Sequence, residues 1–133
     1  MNIDKNTNIE IISELKINKI PKGVISRYWL EIVKDGMGVP VHIPIIVARG
    51  KKKGKVVGLT AAVHGNELNG IPVIQRLFQD LDIKKLEGII VGVPIVNVPS
   101  YLRKIRRFPD GTDLNHIMPG KENGTVSQVY AWR

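Results

Sequence analysis

The sequence predicts an α/β domain built on a mixed sheet. Two strand-like runs, 24–34 and 39–49, are joined by a glycine-rich turn, and a strand–helix–strand succession follows from 56 to 96. Apolar residues make up 43% of the chain and charged residues 24%, the balance of a folded globular protein. A length of 133 residues suits one domain with a real core. Residues 1–19 are assigned as an amino-terminal extension and 20–133 as the domain.

The elements follow in chain order. VISRYWLEIVK, 24–34, is rich in β-branched and aromatic residues, and 39–49 places Val39, Val41, Ile43, Ile45 and Val47 on one face by alternation. Asp35, Gly36, Met37 and Gly38 between them give a hairpin, and Pro40 and Pro44 place its second strand at an edge or on a bulge. Lys51, Lys52, Lys53 and Lys55, beside Gly50 and Gly54, read as one mobile turn. VVGLTAAV, 56–63, lacks alternation, as a strand covered on both faces would. A helix is expected from Asn69 to Leu81, with Ile71, Ile74, Leu77, Phe78 and Leu81 on one stripe. Asn69 would cap it and Pro72 would fall in its first turn, where a missing N–H costs little. GIIVGVPIV, 88–96, completes a β-α-β unit with a parallel pair.

Residues 97–124 form a long polar stretch with several Pro and Gly, expected to be a functional loop. Val126, Val129 and Tyr130 have helical spacing, and this last helix runs to the end of the chain. Two strands apolar on both faces need helices on both sides of a sheet. With one complete helix available, the domain is expected to be truncated.

Twenty Lys and Arg against twelve Asp and Glu give a formal charge of +8. The positives form no continuous helical stripe and few aromatics interleave them, which favours a basic solvated surface over a nucleic-acid groove. Without cysteine, a metal would have to be held by His, Asp or Glu. The start, MNIDKNTNIEIISEL, lacks the form of a secretory signal, and no run is apolar enough for a membrane span, so a cytoplasmic location is expected.

The chemistry centres on TAAVHGNELNG, 60–70. His64 and Glu67 lie in a strand-to-helix turn at the carboxyl end of a strand, where open α/β sheets place ligands. An imidazole nitrogen and a carboxylate oxygen suit zinc, and Gly65 would let the backbone turn tightly between them. The spacing equally suits a structural histidine capped by a nearby acid. It matches neither helical two-histidine zinc motif, so the pair needs a third ligand. Of the other histidines, His42 lies opposite the apolar face of its strand and is expected to be exposed. His116 lies in a second constellation, RKIRRFPDGTDLNHIMPG, 103–120, whose arginines and Asn115 could bind a carboxylate. A basic loop with a Pro-Asp-Gly turn at 109–111 would also account for it.

Together, HGNE at 64–67 and R-x-x-P-D-G-x-D-L-N-x-x-x-P-G some forty residues later resemble the succinylglutamate desuccinylase/aspartoacylase family of the zinc carboxypeptidase superfamily. VPIVNVPSYL and GVPVHIPIIVARG resemble its intervening and amino-terminal strands. The resemblance runs over about 20–132 and covers less than half of the family's catalytic domain. It implies a zinc carboxypeptidase-like fold and makes 20–133 an incomplete zinc-hydrolase catalytic domain. It further implies that His64 and Glu67 are zinc ligands, one Zn²⁺ per complete site. Arg106, with Arg107 as a register alternative, and Asn115 would hold substrate carboxylate or polarise the scissile carbonyl. The family's following arginine grips the carboxylate; here His116 stands in its place, charged only when protonated. The histidine that completes the zinc site and the glutamate that activates the water are expected beyond Arg133, leaving this chain without a catalytic base and inactive alone.

The expected function is therefore a zinc-dependent deacylase that removes an acyl group from an N-acyl amino acid or similar small carboxylate by metal-activated water. The alternative is a non-catalytic module of the same fold that binds an anion or a partner, to which His116 points. A small acidic N-acyl amino acid-like substrate is the expected partner, with neither nucleic acid nor membrane, and a homo-oligomer is compatible.

Overall fold

A computed structural model describes residues 2–4 and 8–133. Among these residues a mixed sheet has six strands in the order β1-β2-β3-β4-β6-β5. These are β1 (Asn2–Asp4), β2 (Ile9–Ile12), β3 (Val24–Lys34), β4 (Pro40–Arg49), β5 (Lys52–Thr60) and β6 (Glu87–Val93). The predicted hairpin is β3–β4, paired antiparallel from Val24↔Arg49 to Lys34↔Pro40. The Asp35 carboxylate accepts from the amides of Met37 and Val39, which fixes its turn. The predicted β-α-β unit is β5-α1-β6, with β5 and β6 parallel and α1 spanning Gly70–Asp80. The amino-terminal extension adds β1 and β2, the latter parallel to β3.

Alternation along β4 divides the core in two. Ile43, Ile45 and Val47 face a layer with Phe108, Leu114 and Tyr130, while Ile46 and Ala48 face Ile71, Ile74 and Phe78 of α1. Leu114 belongs to α3 (Leu114–Ile117) and Tyr130 to α4 (Val126–Trp132), the predicted last helix. Both faces thus carry helices, and the second layer combines α4, expected at the end of the chain, with α3, which is too short to be read from the sequence. The stretch 97–124 is likewise less of a loop than expected, because α2 (Val98–Arg103) and α3 lie in it.

Other expectations are corrected. The segment 56–63 is not covered on both faces: β5 is the outer strand of the sheet, it ends at Thr60, and Val56 and Val57 are 56% and 47% exposed. Its apolar composition reported burial that, among the described residues, no neighbour provides. Lys52, Lys53 and Lys55 belong to β5 rather than to a turn, held by pairing with β6 from Lys52↔Glu87 onward. β4 is an inner strand, not an edge. It pairs with β6 only over Ile46–Arg49, so Pro40 and Pro44 fall in the half that β6 does not reach, and the irregularity in its pairing with β3 lies at Glu31/Val33. Asn69 precedes α1 as expected, but its side chain makes no capping bond.

Candidate active site

The end of β5 delivers the chain into the site. Ala61 donates to the Val93 carbonyl, Ala62 takes a left-handed conformation (φ 49°), and Glu67 N donates to the His64 carbonyl, closing the turn. Gly65 is required here for a reason other than the expected tight turn. Its φ is not positive, and a Cβ at this position would lie 2.1 Å from the Ser100 carbonyl carbon. The turn is pressed backbone to backbone against α2. Asn97, fully buried, holds the other side: its Nδ2 donates to the Val63 carbonyl and its Oδ1 accepts from Ser100 N, capping α2. The Tyr130 hydroxyl donates to the Val96 carbonyl next door, and burial raises its pKa far above the usual range.

These contacts bring four side chains together. The His64 ring, 7% exposed as a residue, stands between two carboxylates, with Nδ1 3.1 Å from Glu67 Oε1 and Nε2 2.9 Å from Asp113 Oδ1. Arg106 Nη1 donates to the same Glu67 oxygen at 3.1 Å, and its Nη2 lies 3.7 Å from Asp113 Oδ2. Asp113 caps α3, accepting from Asn115 N at 3.1 Å. The hydrogen bond from His64 holds the Asp113 carboxyl below the usual carboxylate range, against the opposing effect of burial, and the field of His64 and the Asn115 amide act in the same direction.

The pair of Glu67 and His64 passes a simple test as metal ligands. Two ligand atoms each about 2.0–2.1 Å from a tetrahedral zinc lie roughly 3.3 Å apart, and Nδ1 and Oε1 are 3.1 Å apart. An imidazole that gives its Nε2–H to Asp113 keeps a lone pair at Nδ1, and a carboxylate behind a ligand histidine is the usual outer partner of metal sites. Glu67 also borders an open groove of about 740 Å³ between the end of β5 and the start of α1. Among the described residues, no group of three or more His, Asp or Glu side chains is arranged to hold a metal ion.

The remaining sequence candidates divide clearly. Arg106, not Arg107, reaches the cluster; Arg107 Nη1 donates to the Gly111 carbonyl and braces the predicted turn, in which Gly111 N bonds to Phe108 O. Asn115 and His116 are exposed on α3 beside Asp113, and among the described residues neither side chain hydrogen-bonds to the cluster. His42 is not exposed as expected: it is half-buried, 3.9 Å from Glu31, and its Nε2 has no hydrogen-bond partner among the described residues. Asp113 was missed as a functional candidate, although it stands inside the D-L-N motif, because its partner His64 is 49 positions away.

The sheet, its β-α-β unit and the His64–Glu67 turn after β5 define a zinc carboxypeptidase-like fold. The chain belongs to the succinylglutamate desuccinylase/aspartoacylase family: the model of that family's catalytic domain matches residues 53–132. It is 34% identical over 92 residues to the N-alpha-acetyl-L-2,4-diaminobutyric acid deacetylase of Halomonas elongata, a match covering 68% of this chain and 27% of that protein. Among solved structures, a succinylglutamate desuccinylase/aspartoacylase from Rhodobacter sphaeroides superposes with a TM-score of 0.73 at 31% identity, covering 81% of this chain and 34% of that one. The product-bound ectoine utilization protein EutE (DoeB) from Ruegeria pomeroyi gives a TM-score of 0.68 at 28% identity, covering 80% and 34%. The chain thus spans about a third or less of the length of these relatives. No helix among the described residues is long and apolar enough to cross a membrane.

Proposed function

We propose that this chain supplies part of the active site of a zinc-dependent deacylase acting on an N-acyl amino acid or a similar small carboxylate. The observation that carries this reading is the His64–Glu67 pair, with Nδ1 and Oε1 3.1 Å apart and the far ring nitrogen on Asp113. His64 and Glu67 would hold the metal, which when bound supplies Lewis-acid polarisation of the scissile carbonyl. Asp113 keeps the His64 ring in the tautomer that presents Nδ1. Arg106, which donates to Glu67 and lies within ion-pair distance of Asp113, is close enough to offer its guanidinium to a carbonyl oxygen or carboxylate of the substrate. Asn115 and His116, exposed on α3 beside Asp113, would contribute further substrate contacts. A further ligand and the base that takes the proton from water would come from outside the described residues, so this chain alone would not turn over.

The deacetylase name of the Halomonas elongata relative supports an N-acetyl amino acid as substrate class. The test is hydrolysis of a panel of N-acetyl and N-succinyl amino acids by a protein that carries this chain at the full length of its relatives. A chelator should abolish hydrolysis and added zinc should restore it. Full activity in the metal-free protein would sink the reading. Binding of such compounds without any turnover would instead favour the non-catalytic module, to which His116 in place of the family arginine points.

A further inference from the structure

A second feature, independent of the deacylase reading, lies at the opposite end of β5 from His64, roughly 26 Å of strand away at 3.3 Å per residue. There a cleft of about 210 Å³ is lined by Lys22, Arg49, Lys51, Lys52 and Lys53. Glycines bring backbone close to backbone beneath it: a Cβ on Gly50 would lie 2.0 Å from the Leu86 carbonyl oxygen, and one on Gly88 2.1 Å from that of Lys55. Arg49 is fixed. Its Nη1 donates to the carbonyls of Ile17, Asn18 and Ile20, which orient the guanidinium without neutralising it. The Lys51 stem lies against Gly23, where a Cβ would come within 2.9 Å of its Cε. Lys52 is paired with Glu87 at 2.9 Å. Among the described residues, no carboxylate forms an ion pair with Lys22, Arg49, Lys51 or Lys53.

Four uncompensated cations around one small concavity focus a positive potential that a single carboxylate cannot match. We propose that this cleft is a binding site for a di- or triphosphate group. Such a chain carries several negative charges in a compact span, and its oxygens accept from ammonium and guanidinium donors alike. The volume lies below the roughly 300–1,000 Å³ of pockets that enclose a whole small-molecule ligand, which suits a phosphate chain held at its charged end. The group could be free polyphosphate or the phosphate chain of a nucleotide, since the chemistry recognised is the same.

Isothermal titration of the chain with tripolyphosphate and with ATP, at about 0.15 M salt, tests this. Three proteins are compared: wild type, Lys22→Gln/Lys51→Gln/Lys53→Gln, and a control of equal charge loss elsewhere, Lys34→Gln/Arg76→Gln/Lys121→Gln. All six positions are exposed, so circular dichroism should find each protein folded. Tripolyphosphate should bind wild type, weaken at least about tenfold in the cleft variant, and change by less than about twofold in the control. Equal affinity for ATP identifies the phosphate chain as the whole ligand, and tighter ATP binding identifies a nucleotide. No binding, an equal loss in both variants, or duplex DNA bound more tightly than tripolyphosphate through the same lysines would overturn the proposal.

Discussion

Replacing His64 or Glu67 with Ala should weaken zinc binding by more than about a hundredfold, whereas Asp113→Asn should cost about 10–100-fold, the range for an outer partner that only orients a ligand. The order follows from the geometry. His64 Nδ1 and Glu67 Oε1 face one another across 3.1 Å, while Asp113 meets the ring on its other side, at Nε2. Asn in place of Asp113 can still accept a hydrogen bond, so the ring keeps some of its orientation and loses the charge behind it. Competition against a chromogenic chelator reads the three affinities directly. An Asp113→Asn loss as large as that of His64→Ala would mean that Asp113 is itself a ligand and the assignment of the two ring nitrogens is reversed.

Gly65→Ala should be the most damaging single-methyl change near the site, costing roughly 3 kcal/mol or more of stability. The added carbon would lie 2.1 Å from the Ser100 carbonyl carbon, 2.4 Å from its oxygen and 2.4 Å from Tyr101 N. All three are backbone atoms in the middle of α2, at the fully buried Ser100 and its neighbour, so no side chain can swing aside. Relief requires the His64–Glu67 turn and α2 to separate, which would also loosen the bond from Asn97 to Val63. Gly58→Ala in β5, where nothing lies within 4 Å of the new carbon, is the matched control and should shift stability by less than about 1 kcal/mol. Urea unfolding of both variants decides the point. Equal, small changes would show that the turn does not rest on α2.

Local pattern carried the hairpin, α1 and the parallel pair, because each is written in a run of residues long enough to show a period. It could not say which strand lies outermost. VVGLTAAV has the composition of a covered strand, yet its place beyond β6 is set by strand order, and strand order is set by contacts far apart in sequence. The helices α2 and α3, with six and four residues, are too short to show amphipathic periodicity. Their signals are single capping residues, Asn97 and Asp113, that read equally well as loop polarity. For the site, His64 and Glu67 could be singled out as a pair of ligand type in a strand-to-helix turn, whereas Arg106, with Arg107 as its alternative, entered only through the family resemblance. The role of Asp113 was not legible, since a capping aspartate and a histidine partner look alike until a fold joins positions 49 apart. Gly65 does lie in the tight turn expected of it, but its closest constraint is one no local pattern shows: a turn is a local property, whereas close approach to Ser100 is tertiary.

His64 and Glu67 are expected to share one metal ion. X-ray absorption at the zinc edge, on a zinc-loaded protein that carries this chain at the full length of its relatives, decides this. The expected spectrum shows histidine nitrogen and carboxylate oxygen at about 2.0–2.2 Å, with the histidine signal reduced in His64→Ala. A spectrum unchanged by both His64→Ala and Glu67→Ala would contradict it.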